Sequence, residues 1–404
     1  MGRLKSLTDW LEWQNSFHHQ EIDLGLDRVR TVYQKLFSDN PPFKTITIAG
    51  TNGKGSTAAF LEGIYLQTPF KVGVFSSPHI IKYNERFRIN GVDIDNQSIV
   101  NAFEEIESRR GNISLTYFEF STLAAIVIFK NLGVEIAIME VGLGGRLDSV
   151  NILNPDLTII TSIDIDHSNY LGNTREEIAV EKGGIMRKNI TCLCGDQNPP
   201  KSLYSEAERI GSFLELVDKP YNDRLSMAGN HQRINARLAL EASKVLSSLF
   251  KVTSAQIKSG LFTTKLAGRM QKINFQKKQF ILDVAHNPAA VSKLINSLDN
   301  SQKKYLAIFS ALGDKDVKEI INIASKKISS WIIVPIKNSR SLRKEEMLEY
   351  FSERENYHYF DSFDAAVKYS LKSPIKKVVV FGSFHTVAGV LSKILPSQKK
   401  GGIH

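Results

Sequence analysis

Short runs of apolar, β-branched residues alternate along this chain with segments of helical periodicity, and this alternation restricts the fold more than any other feature. Such alternation is typical of a parallel α/β architecture. The apolar runs are nearly continuous, which predicts strands covered on both faces. The first series has predicted strands at 45–49, 72–76, 135–141, 157–163 and 190–193, with predicted helices at 54–67, 119–131, 174–182 and 231–249.

A second series of the same kind begins near residue 270. Its predicted strands are 280–284, 305–309, 331–335, 357–360 and 378–381, and its predicted helices are 288–298, 316–328, 344–351, 363–372 and 385–395. A length of 404 residues is enough for two or three domains, at a prior of about 150 residues each. We therefore predict two α/β domains, 1–267 and 268–404.

The composition is that of a globular protein, with 42% hydrophobic and 23% charged residues. A net charge of +10 favours anionic partners, but the basic residues are scattered and form no long stripe, so we expect no nucleic-acid partner. No apolar signal core follows the N-terminal basic residues, and no run is long enough to span a bilayer; we expect a cytoplasmic protein without a membrane partner. Cys192 and Cys194 lie in an apolar run, which indicates two buried strand cysteines in a reducing compartment.

The strongest single motif follows an apolar strand and opens a helix; it consists of Gly50, Thr51, Asn52, Gly53, Lys54, Gly55, Ser56 and Thr57. Glycines allow backbone N–H groups to approach phosphate oxygens, and a helix N-terminus favours anions. Lys54 supplies a positive charge for the β- and γ-phosphates, and Ser56 or Thr57 can face a magnesium ion. The string differs from the standard G-x-x-x-x-G-K-[ST] loop, because it is shorter and Gly55 separates the lysine from the serine. We interpret it as a nucleotide-binding loop.

Three further polar clusters lie at predicted strand ends: Ser76–His79, Glu140–Asp148 and Asp164–His167. Ligands of open α/β sheets bind at the carboxyl ends of strands. A glutamate beside a glycine-rich stretch suits phosphate and metal, and carboxylates with a histidine can hold a hard divalent ion. Each cluster alone is compatible with an ordinary turn or a core histidine, but three at successive strand ends indicate a binding site.

An ordered set of strings spans most of the chain: GTNGKGST at 50–57, SSPHIIKYNERF at 76–87, LTYFEFSTLAA at 115–125, EVGLGGRLD at 140–148, DIDH at 164–167, EKGGIM at 181–186, GNHQRINA at 229–236, GRMQ at 268–271 and LDVAHNP at 282–288. In this set the sequence resembles the Mur ligase superfamily and, within it, the folylpolyglutamate synthase/dihydrofolate synthase family. The resemblance implies a P-loop-type ATPase domain with a mainly parallel sheet at 1–267 and a Rossmann-like glutamate-ligase domain at 268–404.

The resemblance also implies roles for individual residues. The catalytic residues that it implies are Lys54, Asp148, His167, Lys182 and His286. ATP would be bound by the 50–57 loop together with Asn230, Arg269, Asp283 and His286. Two Mg²⁺ ions would be held by Ser77, Glu140 and His167, and the acceptor would be bound by Thr116, Phe118 and Phe120. Lys182 matches a lysine that the family carbamylates; the ordinary alternative is an exposed helix lysine. For Phe118 and Phe120 the alternative is core packing.

The function implied is that of an ATP-dependent ligase. It would add L-glutamate to dihydropteroate or to reduced folates through an acyl phosphate, as a monomer. Two alternatives stay open from the residues: a monofunctional folylpolyglutamate synthase, and a P-loop ATPase stimulated by nucleic acid, for which the net charge is the only argument. A cell-wall precursor ligase is disfavoured because only 49 residues precede Gly50.

Overall fold

The computed structural model describes residues 6–18, 20, 22–299, 305–338, 340–354 and 356–395. Two compact units are present: the first comprises the chain up to Ser226 together with Gln232–Thr264, and the second comprises Met227–His231 and the chain from Lys265 onward. The domain limits 1–267 and 268–404 stay a prediction. The N-terminal stretch used to predict the cellular location lies partly outside the described residues.

The first unit is built on an eight-stranded sheet with the order β4-β3-β2-β5-β1-β6-β7-β8. Its strands are β1 (Lys44–Ala49), β2 (Val72–Phe75), β3 (Phe87–Ile89), β4 (Val92–Asp93), β5 (Ile136–Glu140), β6 (Leu157–Ile160), β7 (Thr191–Cys194) and β8 (Phe213–Leu216). All neighbouring strands are parallel except for the antiparallel pairs β2–β3 and β3–β4. The central strands are almost fully buried, as their continuous β-branched character requires.

Ten α-helices accompany this sheet in the described part of the chain: α1 (Leu7–Phe17), α2 (Asp27–Leu36), α3 (Lys54–Tyr65), α4 (Asn96–Arg110), α5 (Tyr117–Asn131), α6 (Ser168–Leu171), α7 (Arg175–Gly183), α8 (Lys201–Ile210), α9 (Asn230–Val245) and α10 (Ser254–Thr263). Short 3₁₀ turns occur at Tyr83–Arg86, Ser149–Ile152 and Leu246–Ser248. Helices α3 and α5 are buried on nearly all sides because they are apolar around most of their circumference.

The second unit contains a six-stranded sheet with the order β13-β12-β11-β14-β10-β9. Its elements are β9 (Gln271–Phe275), β10 (Lys278–Leu282), α11 (Pro288–Ser297), β11 (Tyr305–Phe309), α12 (Val317–Ala324), β12 (Ile328–Ile333), α13 (Lys344–Glu349), β13 (Tyr357–Tyr359), α14 (Phe363–Lys372), β14 (Lys377–Phe381) and α15 (Phe384–Ile394). Only the β9–β10 pair is antiparallel. The predicted α/β class, with a mainly parallel sheet followed by a second sheet, is confirmed.

Two further sequence predictions have an outcome in the fold. Cys192 and Cys194 are free, buried thiols on β7, as predicted. Within the described residues, no helix combines the length and the apolar character that crossing a bilayer requires.

Candidate active site at the carboxyl edge of the first sheet

The glycine-rich loop joins the end of β1 to the start of α3. Gly50 and Gly53 have backbone φ angles of 145° and 96°, a region that other residues rarely adopt. A Cβ atom on Gly50 would lie 1.9 Å from the hydroxyl oxygen of Thr161, and one on Gly53 would lie 2.6 Å from Oδ1 of Asn235. Both positions therefore require glycine, and the backbone of the loop stays uncovered by side chains of its own.

The residues that follow β6 hold this loop in place. Thr51 donates its backbone N–H to the carbonyl of Ser162 at 2.7 Å, and its hydroxyl donates to the carbonyl of Asp164 at 3.0 Å. Asn52 donates its N–H to the Ser162 hydroxyl at 3.1 Å, and Thr161 donates its hydroxyl to the Asn52 carbonyl at 2.8 Å. The predicted clusters at 50–57 and 164–167 are therefore in direct contact.

Lys54 is the first residue of α3, and its ammonium group donates to the carbonyl of Gly50 at 2.9 Å. Ser56 and Thr57 are buried, and the Thr57 hydroxyl has no hydrogen-bond partner in the described protein. The loop thus combines free helix-start N–H groups, an ammonium and hydroxyls, the donor set that suits a nucleotide triphosphate. Burial does not distinguish the two hydroxyls predicted to face a metal, since Ser56 and Thr57 are 1% and 0% exposed.

Ser77 and Glu140 meet at the ends of two neighbouring parallel strands, β2 and β5. The backbone N–H of Ser77 donates to Oε2 of Glu140 at 3.3 Å, and the Glu140 side chain is buried. Glu140 is also paired in register with Ile48, at the end of β1. The structure thus brings together the two residues that the resemblance assigns to one metal ion, at the same edge as the glycine-rich loop.

Asp148 closes the glycine-rich stretch that follows β5. Its carboxylate accepts N–H groups from Leu143 at 2.8 Å and Val150 at 3.0 Å, and it caps the 3₁₀ turn that begins at Ser149. Burial raises the pKa of Asp148 to about 6, although these N–H groups and the charge of Lys54 lower it. A strongly buried carboxyl beside a lysine in a site of this kind is a functional candidate.

Lys182 lies in the last turn of α7, and only 3% of it is exposed. The helix starts with the predicted capping box, in which Thr174 and Glu177 each accept the other's backbone N–H. Arg146 fastens its other end, since its backbone N–H donates to the Glu181 carbonyl at 2.8 Å. The alternative of an exposed helix lysine is therefore wrong at Lys182, because the helix packs this face inward.

The charge state of Lys182 follows from its surroundings. Burial and the nearby charge of Lys54 lower the pKa of Lys182 to about 7, against the attraction of Asp166, Glu181 and Asp148. A substantial fraction of this amine is consequently neutral near pH 7. A neutral amine is nucleophilic, whereas an ammonium ion is not.

His167 precedes α6 with a positive φ of 52°, and its backbone N–H donates to the Asp166 carboxylate at 2.9 Å. Its ring is partly exposed, and Nε2 lies 4.0 Å from Asp166 Oδ1. In the described ranges, no three His, Cys, Asp or Glu side chains form a cluster that could hold a metal. A single carboxylate with a neighbouring hydroxyl, as at Glu140 and Ser77, instead fits Mg²⁺. This ion usually binds one or two carboxylates and completes its coordination shell with water and substrate phosphates.

The predicted acceptor segment has a different character at each of its three residues. Thr116 is buried and caps α5 by accepting the Glu119 N–H at 3.1 Å. Phe118 is half-buried, and its ring lies against Gly142, where an added Cβ would be 2.5 Å away. Phe120 has no exposed surface and packs against Trp13 and Phe103. Direct contact with a substrate is therefore unavailable to Phe120 in this structure, and core packing is the correct description of its ring.

In the second unit, Asp283 follows β10 and accepts N–H groups from Met270 and Ala285, each at 2.9 Å. Burial raises the pKa of Asp283, whereas the neighbouring charges of Arg269 and His286 lower it. The structure thus groups three of the four residues outside the 50–57 loop that are predicted to bind the nucleotide. Asn230, the fourth, is the first residue of α9 and belongs to the same unit.

The sequence prediction missed the segment that follows β14. The Phe384 ring lies 5.4 Å from the Arg269 guanidinium and 6.1 Å from the His286 ring, and Gly382 donates its N–H to the Ala285 carbonyl at 2.8 Å. The signal was available, because Gly382-Ser383 follows an apolar strand in the same way as the clusters that were recognised.

Comparisons with known proteins show the family of the chain. Residues 48–276 match the Mur ligase middle domain, and residues 268–384 match the Mur ligase glutamate ligase domain. The dihydrofolate synthase/folylpolyglutamate synthase of Escherichia coli K12 is 35% identical over 418 residues, covering 98% of this chain and 97% of the relative.

Solved structures extend the likeness to the fold. The structure of E. coli FolC in complex with DHPP and ADP has a TM-score of 0.89 at 34% identity, covering 96% of this chain and 98% of that one. A bifunctional folylpolyglutamate synthase/dihydrofolate synthase with Mn, AMPPNP and L-glutamate bound has a TM-score of 0.87 at 35% identity, covering 96% and 98%. The chain therefore belongs to the dihydrofolate synthase/folylpolyglutamate synthase family of the Mur ligase superfamily.

Proposed function

We propose that this chain is an ATP-dependent ligase that joins L-glutamate to dihydropteroate, giving dihydrofolate, and to reduced folates, giving folylpolyglutamates. The observation that carries the proposal is the grouping of Lys54, Asp148 and Lys182 around a nucleotide-type loop, in a chain that matches a bifunctional relative over 98% of its length. The complexes of similar proteins with ADP, AMPPNP, Mn, DHPP and L-glutamate support the same classes of substrate and cofactor here.

ATP would bind to the 50–57 loop, where the uncovered backbone and the Lys54 ammonium meet the phosphates. Asn230, Arg269, Asp283 and His286, all in the second unit, are also proposed to bind the nucleotide. The buried Asp283 suits a ribose hydroxyl, since its carboxylate is held by two N–H groups and keeps lone pairs to accept a further hydrogen bond. The Arg269 guanidinium and His286 suit phosphate oxygens.

The metal assignments extend this proposal. Ser77 and Glu140 would hold one Mg²⁺ and His167 a second, and the ions would neutralise charge on the phosphates. The neutral amine of Lys182 would add to carbon dioxide and lose a proton, giving a carbamate anion beside Lys54. With ¹³C-labelled bicarbonate, a carbamate carbon resonance that Lys182→Met lacks would support the modification, and identical spectra for the two proteins would contradict it.

Two chemical steps follow. In the first, a carboxylate oxygen of the acceptor attacks the γ-phosphorus of ATP, the bond to ADP breaks, and an acyl phosphate forms; Lys54 holds the phosphates for this displacement. In the second, the amine of L-glutamate attacks the acyl carbon, the phosphate leaves, and an amide forms after loss of the amine proton. Phe118, against Gly142, would face the acceptor, with Thr116 setting the start of its helix and Phe120 supporting it from the core.

The test is phosphate release from Mg·ATP with L-glutamate plus dihydropteroate, and separately plus tetrahydrofolate. We expect release with both acceptors, and none when glutamate or the acceptor is omitted. Release with tetrahydrofolate alone would make the protein a monofunctional polyglutamate synthase. Release that nucleic acid stimulates and glutamate does not would overturn the proposal in favour of a switch-type ATPase.

Lys54→Ala should abolish this release, because Lys54 is the only lysine of the 50–57 loop. Lys44 provides the matched control: it begins the same strand that Lys54 follows, and its exposed ammonium pairs with Asp156. Lys44→Ala should leave turnover unchanged, since a surface ion pair contributes little to stability.

The proposal also includes a monomeric, cytoplasmic enzyme, and sedimentation analysis of the purified chain would test the monomer.

A further inference from the structure

A network of charged groups joins the chain before α2 to the chain before α5. Arg28 Nη1 lies 2.7 Å from Asp23 Oδ2, and Arg28 Nη2 donates to the Asp23 carbonyl at 2.7 Å. His18 donates from Nε2 to the same Asp23 oxygen at 3.1 Å, and its Nδ1 lies 3.2 Å from the Ser114 hydroxyl. His18 and Arg28 therefore bind the same Asp23 carboxylate oxygen.

The other side of the same guanidinium reaches α5. Arg28 Nη2 lies 3.3 Å from Glu119 Oε1, and Nε lies 3.5 Å from Oε2. Glu119 Oε2 also accepts the backbone N–H of Thr116 at 2.7 Å, which closes the capping box of α5. A single side chain on α2 therefore supports the carboxylate that fixes the first turn of α5.

That first turn carries Phe118, one residue before Glu119. The Phe118 ring lies against Gly142, and the Gly142 N–H is one of the groups that hydrogen-bond to the Asp148 carboxylate. A shift of the first turn would consequently move the ring within the candidate site. Arg28 would therefore act on the candidate site indirectly, through Glu119 and the first turn of α5.

Resting on the proposed function, we propose that Arg28 is a positioning residue for the acceptor: through Glu119 it sets the first turn of α5, and with it the Phe118 face against which the pterin part of the substrate binds. Two carboxylates already neutralise the guanidinium, so Arg28 is not an anion-binding group. The Arg28 side chain is 27% exposed and that of Glu119 only 4%, so the ion pair between them is partly shielded from water.

The experiment compares steady-state kinetics of Arg28→Ala, Arg28→Lys and Glu119→Gln with the unaltered protein. In Arg28→Ala we expect the KM for dihydropteroate to rise about tenfold or more, with the KM values for ATP and L-glutamate nearly unchanged, because only the acceptor face moves. Arg28→Lys should recover only part of the loss, since an ammonium cannot bridge both carboxylates with a planar fork. Glu119→Gln, the milder change, should shift the same constant in the same direction.

Arg88→Ala is the matched control. Arg88 forms a comparably shielded pair with Glu62, with Nε 3.2 Å from Oε1 and Nη2 2.6 Å from Oε2, and neither residue contacts α5 in the interactions described above. Its loss should lower thermal stability and leave the acceptor KM unchanged. Effects in the double variant Arg28→Ala/Glu119→Gln should be less than additive, because both changes break one chain of contacts.

The outcomes separate the inference from the proposed function. If the unaltered protein releases no phosphate in response to glutamate and acceptor, the proposed function fails and the inference fails with it. If turnover is present but Arg28→Ala changes only the melting temperature, or raises all three KM values equally, the proposed function stands and the positioning role is overturned. Direct titration of pterin fluorescence checks the KM values as true acceptor affinities.

Discussion

At the scale of single residues, Lys182 has the environment that departs furthest from an ordinary one. A lysine on a helix whose sequence reads Arg-Glu-Glu-Ile-Ala-Val-Glu-Lys-Gly would be expected to face water. Its burial depends on the glycine-rich stretch before Asp148, which lies against α7. This is a tertiary contact, and local sequence patterns do not predict it. The resemblance to a family predicted the position, whereas local sequence physics predicted the wrong exposure.

This burial has a consequence for stability. An unfolded lysine keeps its proton up to about pH 10.5, but the folded Lys182 keeps it only below about 7. Folding therefore releases a proton between these values, and the stability of the unaltered protein rises with pH in that window by up to about 1.4 kcal/mol per pH unit. Lys182→Met removes this term, so the variant should be the more stable protein while losing turnover.

The check is urea unfolding of both proteins in bicarbonate-free buffer across the neutral to alkaline range. The advantage of Lys182→Met should be greatest at and below about pH 7 and should shrink towards pH 10.5. Lys258→Met is the control, since 66% of that lysine side chain is exposed; it should show no such trend. A stability difference for Lys182→Met that is independent of pH would contradict the account.

At the scale of elements, the predicted strands and helices of regular βα units are close to those observed, and β11 and α14 agree to the residue. The elements that were missed include three antiparallel strands, the parallel strand β8, and the helices α1, α2, α4, α6, α8 and α10. The antiparallel strands β3, β4 and β9 are short or half-exposed, so they lack the continuous apolar signal of buried parallel strands. The helix predicted at 316–328 ends at Ala324, because Ile328 begins a buried strand after a polar turn.

Helix α7 gives a prediction at this scale. Thr174→Ala removes the hydroxyl that accepts the Glu177 N–H at 3.2 Å and should cost about 1 kcal/mol of stability. Because the same helix holds Lys182 two turns later, we also expect reduced turnover, measured by phosphate release. Thermal unfolding measures the loss of stability.

Asp95→Ala is the control for Thr174→Ala, since Asp95 caps α4 by accepting the Ser98 N–H at 2.9 Å. It should cost a similar amount of stability and leave turnover unchanged, because α4 carries no predicted site residue. Equal turnover in the two variants, whether reduced or not, would argue against a link between the α7 cap and the reaction.

At the scale of the whole molecule, the rule that ligands bind at the carboxyl ends of parallel strands predicted which segments of the first sheet would meet. The contacts between Thr51 and Asp164 and between Ser77 and Glu140 follow from that topology. The rule does not predict how deeply each side chain is buried. It therefore does not distinguish Phe120, which lies in the core, from Phe118, which contacts Gly142.

The reactivity of the two cysteine thiols on β7 measures whether this strand stays in the first sheet. Burial raises the pKa of Cys192 and of Cys194 to about 12, and β7 lies between β6 and β8. Since thiolates are the reactive form, the native protein should react very slowly with a thiol reagent, and two thiols per chain should react in denaturant. Rapid labelling of either cysteine under native conditions would show that the strand is not held as described.

If ATP activates the acceptor's carboxylate as an acyl phosphate, an oxygen atom of that carboxylate passes into the released phosphate. Dihydropteroate labelled with ¹⁸O in both carboxylate oxygens is converted with Mg·ATP and L-glutamate, and the released phosphate is examined by mass spectrometry. Because the phosphate leaves with the oxygen that attacked it, we expect one ¹⁸O atom in each phosphate. Glutamate-dependent release of unlabelled phosphate would contradict it.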